Sequence, residues 1–313
     1  GEYHANNQAM AELMQKAIRI EEGVYEEDHP TLATSYFNLA MIEQALGNLE
    51  PARELMLRAI QIGEAVYEED HPTLAIRYGN LATIEQALGR LEEARELMQR
   101  ALAIREGAFG PDHGHMLDTV RELAGIARLC GRFDEASGLW ERYVGAKQTS
   151  GGGSYDGYLK DAFHRAKLDL DREQFDNALQ RIEPVIDAWA TEHGPDHLWA
   201  ALARLVQARA LHGLRHHGDA LQILQDILPI LEAEHGPEHE QVAVLRRVMG
   251  QVLLAQGETA AAQRHAEAAR RMQESALPTE HYELADTYHL LGQIEERGGD
   301  TGSAAAWMKQ AFA

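Results

Sequence analysis

The sequence predicts an all-α solenoid of antiparallel helix hairpins, and three interlocked series predict it. His29, His71, His113, His197, His239 and His281 fall on a period of 42 residues, with Tyr155 standing in phase at the missing place. Ala52, Ala94, Ala136, Ala178, Ala220, Ala262 and Ala304 repeat with the same period, as do the small residues Ala40, Ala82, Ala124, Ala166, Ala208, Gly250 and Gly292. Self-similarity of this kind marks stacked supersecondary units, none of which can bury its apolar face alone.

One unit, from His29 to Asp70, shows how the hairpin is encoded. Pro30 suits the first helical position, where a missing N–H costs nothing. Leu32, Tyr36, Leu39, Ile42 and Leu46 follow at spacings of three and four, the stripe of an amphipathic helix. Gly47-Asn48 ends it, because Gly tolerates a left-handed helix terminus. A second helical pattern runs through Ala52, Leu55, Met56, Ala59, Ile60 and Ile62 to about Val66, and the acidic YEEDHP leads into the next unit. Ala40 and Ala52 belong where the two helices cross, since axes approach to about 8–10 Å only over small side chains.

These residues resemble tetratricopeptide repeats, and more narrowly the 42-residue variety found in kinesin light chains and bacterial relatives. The resemblance rests on HPTLATSYFNLAMIEQALGNLEPARELMLRAIQI, HPTLAIRYGNLATIEQALGRLEEARELMQRALAI and the inter-unit loops EHGPDH and EHGPEH. It implies a right-handed superhelical solenoid of seven full repeats plus an N-terminal half repeat. The expected organisation is a half repeat at 1–28 holding only a second helix, three units at 29–148, a Gly-rich stretch at 149–154, and four units at 155–313. A loop of ordinary length, a hinge and an engineered splice all fit TSGGGS. Neither end carries an obvious polar cap, so the chain reads as a segment of a longer protein. Two units depart from the pattern at the turn, where Glu173 and Arg215 replace Gly.

Composition narrows the partners. The chain has 313 residues and a net charge of −21, from 50 acidic and 29 basic residues. Such a field repels nucleic-acid phosphates and anionic membrane surfaces, so neither is an expected partner. No apolar run approaches the roughly 20 residues of a membrane span, and the start GEYHANNQAM lacks the pattern of a secretory signal. The single Cys130 has no internal disulfide partner, which suits a reducing cytoplasm. Few Lys against many Arg, with abundant Ala and Gly, point to a GC-rich bacterial genome.

Catalytic motifs are missing: there is no GxxxxGK[ST] phosphate loop and no GxSxG elbow. The reading is therefore a non-enzyme without cofactor. Cys130 aligns with Leu46 and Leu88 as a core residue. His235-Gly-Pro-Glu-His239 spells the HxxEH string, but Gly236-Pro237 interrupts the helix that string requires. The repeating His is read as a helix-start residue, His216-His217 as a solvated pair, and no metal is expected.

In tetratricopeptide arrays the first helix of each unit lines a concave groove. By that resemblance the groove positions are Thr34, Phe37, Asn38, Met41 and Gln44 in the first unit, and Ile76, Gly79, Asn80, Thr83 and Gln86 in the second. Asn38 and Asn80 match the Asn that relatives use to hold a peptide backbone, because a carboxamide both donates and accepts. Packing against the adjacent unit is the alternative for both. Later units place Glu122, His164, Val206, Val248 and Leu290 there, so an Asn ladder along the whole groove is not expected. In units three to six the groove positions hold Arg121, Arg128, Lys160, Lys167, Arg209 and Arg247 against one acid, Asp118. Either they grip an acidic ligand or they neutralise the protein's own acidic second helices. The expected function is a scaffold that holds a peptide or protein segment, with an acidic ligand favoured and Phe37, Met41 and Phe163 as apolar anchors. The alternative is the sensor array of a larger bacterial signalling or defence protein, in which the groove binds a domain of its own chain.

Overall fold

The computed structural model describes residues 2–110, 116–149, 155–278 and 281–312; for 2–4, 148, 149, 155 and 156 it describes the backbone alone. His113, Thr279, Glu280 and the Gly-rich residues 150–154 lie outside the described residues, as does the Tyr155 side chain. Among the described residues there are fifteen α-helices and no strand. They divide into two compact units, Gly1–Gly152 and Gly153–Ala313.

The first unit carries α1 (Glu2–Glu22), then the pairs α2 (Pro30–Ala45) with α3 (Leu49–Val66), α4 (Pro72–Ala87) with α5 (Leu91–Phe109), and α6 (Leu117–Leu129) with α7 (Phe133–Thr149). The second carries α8 (Tyr155–Asp171) with α9 (Phe175–His193), α10 (Leu198–Gly213) with α11 (His217–His235), α12 (Glu240–Ala255) with α13 (Thr259–Ala276), and α14 (Tyr282–Gly298) with α15 (Thr301–Ala311). Each pair is a hairpin, and each hairpin stacks on its sequence neighbour within its unit.

The repeating His is a cap. The Nδ1 atoms of His29, His71, His197, His239 and His281 each accept the backbone N–H two residues on, at 3.2–3.3 Å. That satisfies one of the donors a helix start leaves open, the task usually given to Ser, Thr, Asp or Asn. Four of these rings pack on an aromatic ring four positions earlier, with centroids 4.1–4.7 Å apart: His29 on Tyr25, His71 on Tyr67 and His239 on His235 are stacked, and His197 on His193 is tilted, while His281 stacks on Tyr282.

The small-residue series meet at the hairpin crossing. Ala40, Ala52, Ala82, Ala94 and their counterparts through Ala262 are fully buried. A Cβ on Gly250 would stand 3.0 Å from Leu290 Cδ2 and 3.3 Å from the Ala262 carbonyl oxygen, closer than ordinary packing, so a side chain there would press on both neighbours. Successive hairpins are joined by a polar contact of fixed register: Tyr36 donates to Glu22, Tyr78 to Glu64, Arg246 to Glu232 and Tyr288 to Glu274. In unit 1 the Glu85 carboxylate is buried and is answered by Arg53 at 2.6 Å and Arg90 at 3.3 Å, as a buried charge requires. At the hairpin turns Gly47, Gly89, Gly131, Gly257 and Gly299 adopt positive φ; Glu173 (φ 58°) and Arg215 (φ 66°) take the same conformation without being Gly.

Candidate functional site

Each unit presents its own row of first helices. In the first unit, α2 and α4 lie side by side, linked by a hydrogen bond from Gln44 Nε2 to Thr83 Oγ1 at 3.2 Å. Thr83 donates its hydroxyl to the Asn80 carbonyl at 2.8 Å, so it can only accept from Gln44. Asn80 spends its Nδ2 on the Ile76 carbonyl of its own helix at 2.8 Å, while Asn38 is exposed. Phe37 and Met41 are half-buried and pack on the core; Gln86 is half-buried. Ile76 is an exposed large apolar residue on α4. Among the described groove positions of α2 and α4 there is no formal charge. Arg121, on α6, pairs with Asp118 one turn back at 3.0 Å, and Arg128 is half-buried at the end of the same helix.

In the second unit the first helices α8, α10, α12 and α14 wall a concave cavity of about 650 Å³. Its lining includes Leu170, Phe175 and Val248 as apolar surface, Gln251 and Gln293 as carboxamides, and the charged Arg209, Arg297 and Glu296 beside His212. Arg209 reaches Asp171 at 3.4 Å. Arg297 donates from Nη1 to the Leu254 carbonyl at 3.0 Å. A second cluster lies on α8 to α10: Lys160 sits 4.8 Å over the Trp199 ring, Lys167 5.6 Å over Phe163, and Trp189 contacts both Phe163 and Trp199.

Of the basic residues expected to line an open groove, Arg247 stands apart. It is only 8% exposed and bonds to Asp286 at 3.2 Å. Burial raises the pKa of the neighbouring Glu283 carboxyl, while the charges of Arg247 and Lys167 act in the opposite sense. Sequence reasoning missed Asp171, which falls one residue beyond the expected groove positions, and Asp286, which falls in the last unit. It missed Arg297 for both reasons. His212 stands at an expected position but is no Lys or Arg. His217 also differs from the solvated pair expected: it is half-buried and meets His212 across the hairpin turn, while His216 is exposed.

Two other readings can be placed. The HxxEH string spans the end of α11 and the loop before α12, where the His235 and His239 rings stack face to face and Gly236 takes φ 91°. Cys130 is half-buried, its thiol donates to the Leu91 carbonyl at 3.4 Å, and burial pushes its pKa up to about 11. It is therefore protonated at neutral pH and a poor nucleophile. No helix of the described residues is long and apolar enough to cross a membrane.

Repeated hairpins with small-residue crossings, each stacked on its sequence neighbour within its unit, define a helical-repeat scaffold. The chain belongs to the tetratricopeptide repeat family, whose model matches residues 6–65, 38–106, 73–149, 161–233 and 217–275. Among solved structures it is similar to nearly identical TPR-like repeats of kinesin-light-chain type from Podosopora anserina, at 23% identity and TM-score 0.54, over 66% of this chain and 97% of that one. It is also similar to the apo form of the quorum sensor NprR from B. thuringiensis, at 13% identity and TM-score 0.67, over 98% of this chain and 82% of that one. A Rap protein complexed with Competence and Sporulation Factor matches at 12% identity and TM-score 0.64, over 90% and 76% of the two chains. No curated protein matches the chain significantly.

Proposed function

We propose that the chain is a binding scaffold that holds a peptide or protein segment against its first helices, with an acidic group of the ligand taken in the cavity of the second unit. The observation that carries this is the cavity itself. About 650 Å³ is within the range of ligand sites, and its wall combines apolar surface with Arg209 and Arg297. A guanidinium offers five donors in a planar fork suited to carboxylate. Arg297 commits one of them to Leu254, and a ligand carboxylate at Arg209 would compete with Asp171, which stands 3.4 Å away. On the first unit, exposed Asn38 and half-buried Gln86 suit a peptide backbone, and Ile76, nearer the start of α4, offers apolar surface. Asn80, Gln44 and Thr83 would first have to exchange the hydrogen bonds they already make.

The second reading is a sensor array that controls an attached or associated domain. It is favoured by the match to a quorum sensor over nearly the whole chain and to a Rap protein complexed with Competence and Sporulation Factor. Both readings place the ligand on the first helices and differ in what binding does.

The test is selection from a displayed random peptide library, followed by fluorescence anisotropy of the enriched peptides. Acidic peptides should be enriched, and an Arg209→Glu/Arg297→Glu variant should bind them at least about tenfold more weakly, the equivalent of 1.4 kcal/mol. Binding should also weaken with added salt, as exposed charge contacts do. Enrichment of peptides without acids, or equal binding by the variant, would remove the ligand from this cavity.

A further inference from the structure

We propose that His212 and His217 form a two-imidazole site for a divalent first-row transition-metal ion at the wall of the second unit's cavity. His212 lies in the last turn of α10 and lines the cavity; His217 is the first residue of α11. The turn between them carries Arg215 in the left-handed conformation. This strained turn brings the two Nδ1 atoms to 3.1 Å, with the ring centroids 4.9 Å apart and the planes inclined at 50°. An ion about 2.0–2.1 Å from each imidazole nitrogen has neighbouring donors roughly 2.9 Å apart in octahedral and 3.3 Å apart in tetrahedral coordination. The observed separation falls between these edges.

The contrast with the other His pairs shows that proximity in sequence does not produce this arrangement. His193 with His197 and His235 with His239 are also paired rings, but His197 and His239 use Nδ1 to cap a helix. Neither pair turns nitrogen to nitrogen as His212 and His217 do. Imidazole donors suit Zn²⁺, Ni²⁺ and Cu²⁺. No group of three or more His, Cys, Asp or Glu residues among the described residues could complete a site, so water or a ligand atom in the cavity supplies the remaining positions. This proposal does not depend on the peptide reading.

The experiment is isothermal titration of the purified chain, free of any affinity tag, with ZnCl₂ and separately with NiCl₂ at neutral pH. A one-to-one step in the micromolar range is expected. It should weaken by about tenfold or more in both His212→Gln and His217→Gln, and persist in His216→Gln and His235→Gln. A second measurement on the unmodified protein guards against misfolded variants: zinc should shift the ¹⁵N imidazole resonances of His212 and His217 together. The proposal fails if no one-to-one step appears, if both variants bind as the original does, or if zinc moves neither resonance. The two rings then only share a hydrogen bond.

Discussion

At the scale of single residues, the hairpin turns hold the clearest local conflict. The left-handed conformation costs an L-residue about 1–2 kcal/mol through contact of Cβ with the following carbonyl, and Gly escapes this cost. Glu173 and Arg215 adopt it with φ of 58° and 66°, and both side chains are exposed. Glu173→Gly and Arg215→Gly should therefore each raise stability by about 1 kcal/mol in urea denaturation. A loss of stability would mean that these side chains make contacts the structure does not show. The capping His carries a second residue-scale consequence. His239 and His281 accept a helix-start N–H at Nδ1, and burial lowers both pKa values from the ordinary 6.5. Between the lowered folded value and 6.5 the unfolded chain binds more protons, so stability is full above about 6.5 and is lost as pH falls. The thermal midpoint should drop between pH 7 and 5. In His281→Asn, whose carboxamide caps without titrating, the drop should be smaller. An identical drop in that variant would show that His281 does not contribute.

At the scale of the element, the helix hairpin was legible because its determinants are local and periodic. Pro30, the apolar stripe of α2 and the Gly47 turn each act within a few residues, and the Ala series returns in phase whichever unit is read. The fully buried crossing makes a direct prediction. Ala52→Leu or Ala94→Leu should cost roughly 1–3 kcal/mol by overpacking, with helix content retained. Helix loss together with the tertiary structure would mean that the crossing nucleates the helices themselves. The candidate site was less legible, because what decides its chemistry crosses between elements. Arg209, one of the expected groove positions, lines the cavity, but the groove phase cannot show that Arg247 on α12 is buried beside Asp286 of α14. Nor can a tally of groove positions see that Asp171, one residue further along α8, stands opposite Arg209. The pairing of His212 with His217 escapes helical periodicity, since a turn lies between them.

At the scale of the whole molecule, the controlling quantity is an excess of 21 negative charges. Many cations are already answered within the units: Arg53 and Arg90 on Glu85, Arg132 on Glu92, Arg181 on Asp169, Arg246 on Glu232 and Arg270 on Glu267. With 50 acids against 29 bases, a large share of the carboxylates has no cation to meet and repels its own kind. Two effects of salt then compete. Screening weakens exposed ion pairs, each contributing about 0–1 kcal/mol, but it also relieves self-repulsion spread over the whole surface. The screening length shrinks from about 30 Å at 0.01 M to about 8 Å at 0.15 M, which cuts the long-range repulsion more than contacts near 3 Å. Repulsion should therefore win, and the thermal midpoint should rise as NaCl is added over this range. Sodium sulfate would add a separate effect on apolar burial, so NaCl is the appropriate salt. A midpoint that falls instead would mean that the ion pairs, Arg53–Glu85 and its counterparts, hold the hairpins together more strongly than the excess charge drives them apart.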